Sequence, residues 1–297
     1  MNRFLSSFLL GYLLLLFYHG SESILFIQNG LSLWFEKLVP SLFLPMVLLK
    51  LLYVRQVFHH VSFPFVCSYF HINKETIPLL INTILLGFPL GSISIKEAYD
   101  RKQLQEKEAK RLLYTCCFAS PSFILVTCGV VCFHSITIGI LLFISQLCSG
   151  LLLFRCTKSC QIEALPNTYP ITSFPKQLAT IMTESGLTLF LIGGYLLFFL
   201  TLTNLLSSLL PSFCIPILTL LSEFSTGIFY VTSLPYKPLF QQLLICFILS
   251  FAGFCVHMQI FSSVFPIKMS YPKFLCFRIA QGLISCILYL CLQYLLL

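Results

Sequence analysis

Long apolar runs alternate with short polar stretches from one end of the chain to the other, and a helix needs about 17 to 25 mostly apolar residues to cross a bilayer. Seven runs read as crossing helices: 4–18, 38–54, 112–132, 135–154, 186–206, 239–263 and 274–297. Two further apolar segments, 76–95 and 212–232, are interrupted near their middles by GFPLG (87–91) and EFSTG (223–227). Pro89 lacks a backbone donor, and Gly87 and Gly91 permit turn conformations, so a helix can stop and reverse there. The interruption reads as the tip of a re-entrant hairpin; glycines that merely let helices approach closely are the alternative.

The basic residues decide between crossing and turning back, because a full crossing reverses the side of every later loop. With both interrupted segments turning back and the N-terminus in the cytoplasm, 16 of the 18 Lys and Arg residues fall inside, leaving Lys37 and Lys237 outside. A full crossing by 76–95 would send the six basic residues of 96–111 outward. The stretch KEAYDRKQLQEKEAKR (96–111) accordingly reads as a solvated amphipathic helix on the cytoplasmic face, with i,i+4 pairs such as Glu106 and Lys110.

Composition agrees with an all-α polytopic membrane protein: 58% of the 297 residues are hydrophobic and 9% charged, against roughly 45–50% and 25% in soluble domains. The formal charge of +8 then records orientation, and no nucleic-acid partner is expected. Arg3 ahead of run 4–18 resembles the charged start of a signal peptide, but Tyr18 and Gly20 make a poor cleavage site, so the run reads as a retained anchor. Most of the fourteen cysteines lie inside apolar runs, where they act as small packing residues. Cys156 and Cys160 form a lone C-x3-C without a second ligand pair, and His59 and His60 have no carboxylate or cysteine at ligand spacing, so no metal site is expected. No phosphate-binding loop, HExxH pair, GxSxG elbow or dinucleotide fingerprint occurs, which leaves no enzyme and no cofactor to expect.

The chain also repeats itself in order. GLSLWF (30–35) recurs as GLTLFL (186–191), each opening a long hydrophobic helix; GFPLG recurs as EFSTG; CFASPSFIL (117–125) recurs as SFAGFCVHM (250–258). The matching helices run in opposite directions in the topology above, and the two hairpins enter from opposite sides. The organisation expected is an anchor and external loop (1–29), a first repeat (30–154), a cytoplasmic linker with the start of the next helix (155–185), and a second, inverted repeat (186–297). Inverted repeats with broken helices in corresponding positions are the architecture of secondary transporters, whose site lies near the midplane.

Glu223 is the leading site residue, because an ionisable group at membrane depth marks a pathway or coupling role by default; a carboxylate that simply meets water at the outer surface is the alternative. Ser225 and Thr226 add ligand oxygens beside it, with Gly227 closing the motif. From the first half come Gly87, Phe88, Pro89 and Gly91 of the matching tip, and Ser120 and Ser122, whose hydroxyls flank Pro121 where carbonyls are freed. His257 and Gln259 are two apart on one helix and so face different ways; a proton relay and a plain interhelical hydrogen bond are both open to His257.

The blocks LVPSLFLPMVLLKLL (38–52), GFPLGSISIKEAYDRKQLQEKEAKRLLYTCCFASPSFIL (87–125), LSEFSTG (221–227) and FAGFCVHMQ (251–259) resemble the YlbJ family of sporulation integral membrane proteins, which carry the nucleoside-recognition or Gate type of repeat. The resemblance runs from about residue 30 to residue 263. It implies a role in endospore formation, in a membrane around the forespore, and likeness to transporter scaffolds. Glu223, Gly227, His257 and Gln259 match the family. Phe88 stands where an aromatic hydroxyl is usual, Phe118 where Asn is common, and Ala252 with Gly253 where a Gly-Gly pair occurs. The expectation is a transporter-like protein of the cell membrane that moves or binds a small polar solute. The alternative is a non-transporting scaffold of the spore envelope. Besides lipid, a homodimer or other spore-membrane proteins are the partners left open.

Overall fold

The computed structural model describes residues 2–55, 57, 64–74, 76–157 and 173–296; His59, His60 and Cys160 fall outside them. Every regular element among the described residues is helical. After α1 (Asn2–Tyr18), α2 (Gly20–Ser32) continues through a π-helical turn at Leu33–Leu38 into α3 (Val39–Val54). Residues 20–29, expected in an external loop, are therefore helical; the apolar run Ile24–Ile27 carries the helix on. The short α4 (Pro64–Phe70) leads to α5 (Thr76–Leu86) and α6 (Leu90–Asp100), then α7 (Glu106–Thr115) and a second π-helical segment, Phe123–Cys132. The second half consists of α8 (Ile136–Cys156), α9 (Phe174–Ser207), α10 (Ile215–Ser222), α11 (Phe224–Ser233), α12 (Pro238–Phe251), α13 (Gly253–Ser263) and α14 (Tyr271–Leu296).

Among the described residues five helices are long and apolar enough to cross a membrane: Gly20–Val54, Ile136–Cys156, Phe174–Ser207, Pro238–Ser263 and Tyr271–Leu296. They take in five of the seven expected runs. The apolar part of α1, Leu5–Tyr18, is shorter, and 112–132 is broken after α7. The motifs GLSLWF and GLTLFL do not open helices; each lies inside a longer one, of 35 and 34 residues. These two helices pack together where Gly193 lies under the Trp34 ring and Trp34 Nε1–H donates to the Leu189 carbonyl at 3.0 Å.

The surface is apolar as well as the interior, and polar side chains are buried among the apolar ones. Leu187, Phe190 and Leu191 of α9 and Leu283, Ile287 and Leu290 of α14 stand exposed, an apolar area that lipid covers without cost. Inside, Gln146 donates to the Leu249 carbonyl at 2.7 Å, Gln281 to the Gln146 carbonyl at 3.3 Å, and the Tyr289 hydroxyl to Gln242 at 2.9 Å. Such interhelical bonds supply specificity where no water drives helices together.

The charged stretch 96–111 is not one solvated helix. Its first part finishes α6, a turn follows, and α7 starts at Glu106. The Glu106–Lys110 pair forms at 2.7 Å and holds the Glu106 carboxyl below its ordinary range. Arg111 turns inward instead: it is buried, pairs with Glu108 at 3.0 Å and donates to the Phe70 and Phe154 carbonyls.

Candidate functional site

Helices α5 and α6 fold back on each other around Gly87-Phe88-Pro89, and α10 and α11 do so around Glu223. The same position of each tip motif allows the close return. A Cβ on Gly91 would stand 3.0 Å from Thr83 Cα across the first hairpin, and one on Gly227 would stand 2.9 Å from Leu220 Cα across the second. The tips then meet: the Phe88 and Phe224 rings lie edge to face, centroids 5.1 Å apart. These are matching residues of GFPLG and EFSTG.

Each tip rests on a broken helix. Gly87, at φ +69°, lies directly over Ser120, where α7 has ended and the π-helical segment has not begun; a Cβ there would collide with the Ser120 backbone. The Phe88 N–H donates to the freed Phe118 carbonyl at 2.6 Å. In the second half the break falls between α12 and α13, at Ala252 (φ +77°) and Gly253 (φ +73°). Gly253 lies 3.2 Å, measured from the position of a Cβ, below the Phe224 nitrogen. Here the freed Phe251 carbonyl is satisfied by His257, whose Nε2–H donates at 2.7 Å. That bond fixes the tautomer, since a carbonyl only accepts, and leaves Nδ1 to face the Tyr271 hydroxyl at 3.4 Å.

Glu223 is 3% exposed and caps α11. One carboxylate oxygen accepts from the Ser225 N–H at 3.2 Å and its hydroxyl at 2.6 Å; the other accepts from the Thr226 N–H at 2.7 Å and its hydroxyl at 3.0 Å. A buried carboxylate is tolerable only with such partners, and the helix N-terminus adds a favourable dipole. Between the tips lies a cavity of about 50 Å³ lined by Phe88, Pro89, Ser120, Glu223, Ser225 and Gln259 among others. Among the described residues Glu223 is the one charged side chain in that lining.

Six of the twelve residues expected from the sequence therefore line one cavity. Gly87, Gly91, Gly227 and Thr226 shape or cap its walls. Ser122 stands behind Ser120, their hydroxyls 3.3 Å apart. His257 does not reach the cavity; it holds the second break together, while Gln259 faces in, as their spacing requires.

The sequence reading missed the buried cations. Arg278 reads from the sequence as an inner-side charge, but it is fully buried in α14 and donates to the Tyr114 carbonyl at 2.6 Å and the Cys117 carbonyl at 2.8 Å. It thus pins the end of α7 where the first break begins, a cation placed against helix C-terminal carbonyls. Lys50, 7% exposed, pairs with Glu97 at 3.3 Å and Glu184 at 3.4 Å, tying together α3, α6 and α9. Among the described residues no group of three His, Cys, Asp or Glu is placed to hold a metal ion.

No family model matches the chain, and no solved structure matches it. It is similar to the sporulation integral membrane protein YlbJ of Bacillus subtilis (strain 168), at 24% identity over 88% of this chain and 75% of that protein. The chain is a distant relative of that protein, and its apolar helices are those of a multi-pass membrane protein.

Proposed function

We propose that the protein is a transporter-like membrane protein of endospore formation that binds a small polar solute between its two hairpin tips. In this reading the N-terminus is cytoplasmic, the hairpins are re-entrant from opposite faces, and the two halves are inverted repeats of the Gate type. In sporulating cells it works in a membrane around the forespore. The observation that carries the reading is the meeting of Phe88 with Phe224 beside a small cavity whose one charged group, among the described residues, is Glu223. Irregular backbone at membrane depth is tolerated where protein buries it or where it lines a cavity, and helix termini aimed at such a cavity are how transporters hold polar solutes.

The cavity fits water or a small ion as it stands. A water needs roughly 10–15 Å³ of such space, so about 50 Å³ admits a few waters and no nucleoside. Binding a larger solute requires the tips to part, which breaks few bonds, since Phe88 and Phe224 meet only ring to ring. Glu223 would then exchange its Ser225 and Thr226 hydroxyl partners for the solute, a cation or a proton.

The same saturation of Glu223 favours a second reading, a non-transporting scaffold in which the carboxylate is a structural cap. Thermal stability of the purified protein against nucleosides, amino acids, dipicolinate and cell-wall precursors separates the two, because a ligand of the native state raises the midpoint by mass action. A saturable rise that is lost in Glu223→Gln and in Gln259→Leu supports solute binding at the tips. A well-folded sample that responds to none of them supports the scaffold.

A further inference from the structure

A second and larger cavity, of about 210 Å³, opens at the basic end of the molecule between α3, the hairpin α5–α6 and α9. It lies along the same three elements as the tip cavity. On α3, Leu42 lines the tip cavity and Lys50 the basic one, eight residues or about 12 Å apart along the helix. On α9 the corresponding residues are Ile192 and Glu184; on the hairpin they are Pro89 and Asn82. Between the two levels lies a buried apolar cluster that includes Met46, Leu86, Leu90 and Leu189. The basic cavity is thus separate from the site described above.

Its lining is unusual for a membrane helix bundle. Asn82 is 1% exposed; its amide nitrogen donates to Ser94 Oγ at 3.0 Å, while its buried Oδ1 accepts no hydrogen bond among the described residues. Gln177 Oε1, also on the lining, is buried and accepts none either. Unsatisfied buried acceptors of this kind are costly and call for N–H or O–H groups. Around them stand two carboxylates, Glu97 and Glu184, and three cations, Lys50 with the exposed Arg101 and Lys176. A bare anion meets two carboxylates and two orphan acceptors; a bare cation meets three positive side chains. A solute that carries both signs, with N–H donors on its positive end, meets a partner for each. The volume is about four times that of the tip cavity, enough for a small molecule of that kind.

We propose that this cavity is a second binding site, for a small zwitterion of the amino-acid class. The ammonium N–H groups are held by Asn82 Oδ1 and the neighbouring carboxylates, and the solute carboxylate faces Arg101 and Lys176. The site does not depend on solute binding at the tips, and the test below keeps the two apart.

Titration calorimetry on the full chain in lipid nanodiscs tests it, with glycine, alanine and, as the N–H-free control, glycine betaine. The expected result is saturable binding of glycine or alanine and about tenfold weaker binding of betaine, the worth of one hydrogen bond to a buried acceptor. Asn82→Leu should weaken alanine binding about tenfold without unfolding the protein, because Ser94 keeps its own bond to the Leu90 carbonyl. Lys176→Glu, at an exposed position, should weaken it as well, and Glu223→Gln should leave it unchanged. No saturable heat from folded protein, equal affinity for betaine, or full affinity in both Asn82→Leu and Lys176→Glu would overturn the proposal. Loss in Glu223→Gln with retention in Asn82→Leu would also overturn it, and would move the amino acid to the tips.

Discussion

At the tip GFPLG the polar backbone is tied to a neighbour: the Phe88 N–H bonds the Phe118 carbonyl, and Gly87 lies so close to Ser120 that no side chain fits between them. At the tip EFSTG the polar groups are satisfied within the tip, Glu223 taking four hydrogen bonds from Ser225 and Thr226. The carbonyl freed in the second break, that of Phe251, goes to a side chain, His257. One tip is therefore clamped to its broken helix by main-chain geometry, and the other carries its own cap and only rests on Gly253. The second tip can lift without leaving an orphaned backbone group, so under the proposed solute-binding reading it is the one expected to move. The charged group sits on that tip.

Substitutions can break this contrast, and the largest effect belongs at the clamp. Gly87→Ala combines a left-handed backbone with a collision against Ser120, so a loss of roughly 3 kcal/mol or more is expected, seen as little or no monodisperse protein after purification. Glu223→Ala orphans the donors of Ser225 and Thr226 and should cost about 2 kcal/mol, a clear fall in the thermal midpoint, with Glu223→Gln falling less because one carbonyl oxygen still accepts. Gly253→Ala brings a Cβ to 3.2 Å from the Phe224 nitrogen and 3.3 Å from the Ser222 carbonyl oxygen, tight contacts that a tip free to shift relieves by a small displacement, so with the left-handed conformation it should cost about 2 kcal/mol. If Gly253→Ala proves as damaging as Gly87→Ala, the second tip is clamped as well and the contrast fails. The smallest effect is a gain: Ala252 already holds φ +77°, so Ala252→Gly should stabilise by up to about 1 kcal/mol once the flexibility of glycine is subtracted, read as a small rise in the midpoint.

Much of this was legible in the sequence. Apolar runs gave away the long helices, and Gly87 with Pro89 marked the first tip because those two residues have few other uses inside an apolar segment. Glu223 was conspicuous as a lone carboxylate among Leu and Phe. The second break was visible only by its match to the first, since Ala252 reads as a good helix former and takes its left-handed conformation from the packing of Gly253 under Phe224. Lys50 and Arg278 read as flanking charges because their burial depends on which helix face meets a neighbour, and an apolar helix in lipid has little amphipathic pattern to fix its phase. Asn82 gives no signal in the sequence for the same reason. Both π-helical segments lie in stretches with no local signal for them.

The central claim is that both interrupted segments return to the side they came from. Cysteines placed singly at positions 74, 102, 210 and 236, which flank the two hairpins and are exposed, in a background freed of native cysteines, can be probed with a membrane-impermeant thiol reagent in intact and opened non-sporulating cells that carry the protein in the plasma membrane. The account predicts that 74 and 102 react only after the cells are opened, and that 210 and 236 react in intact cells. If the two members of either pair react from opposite sides, that segment crosses the membrane, and the meeting of two re-entrant tips is wrong.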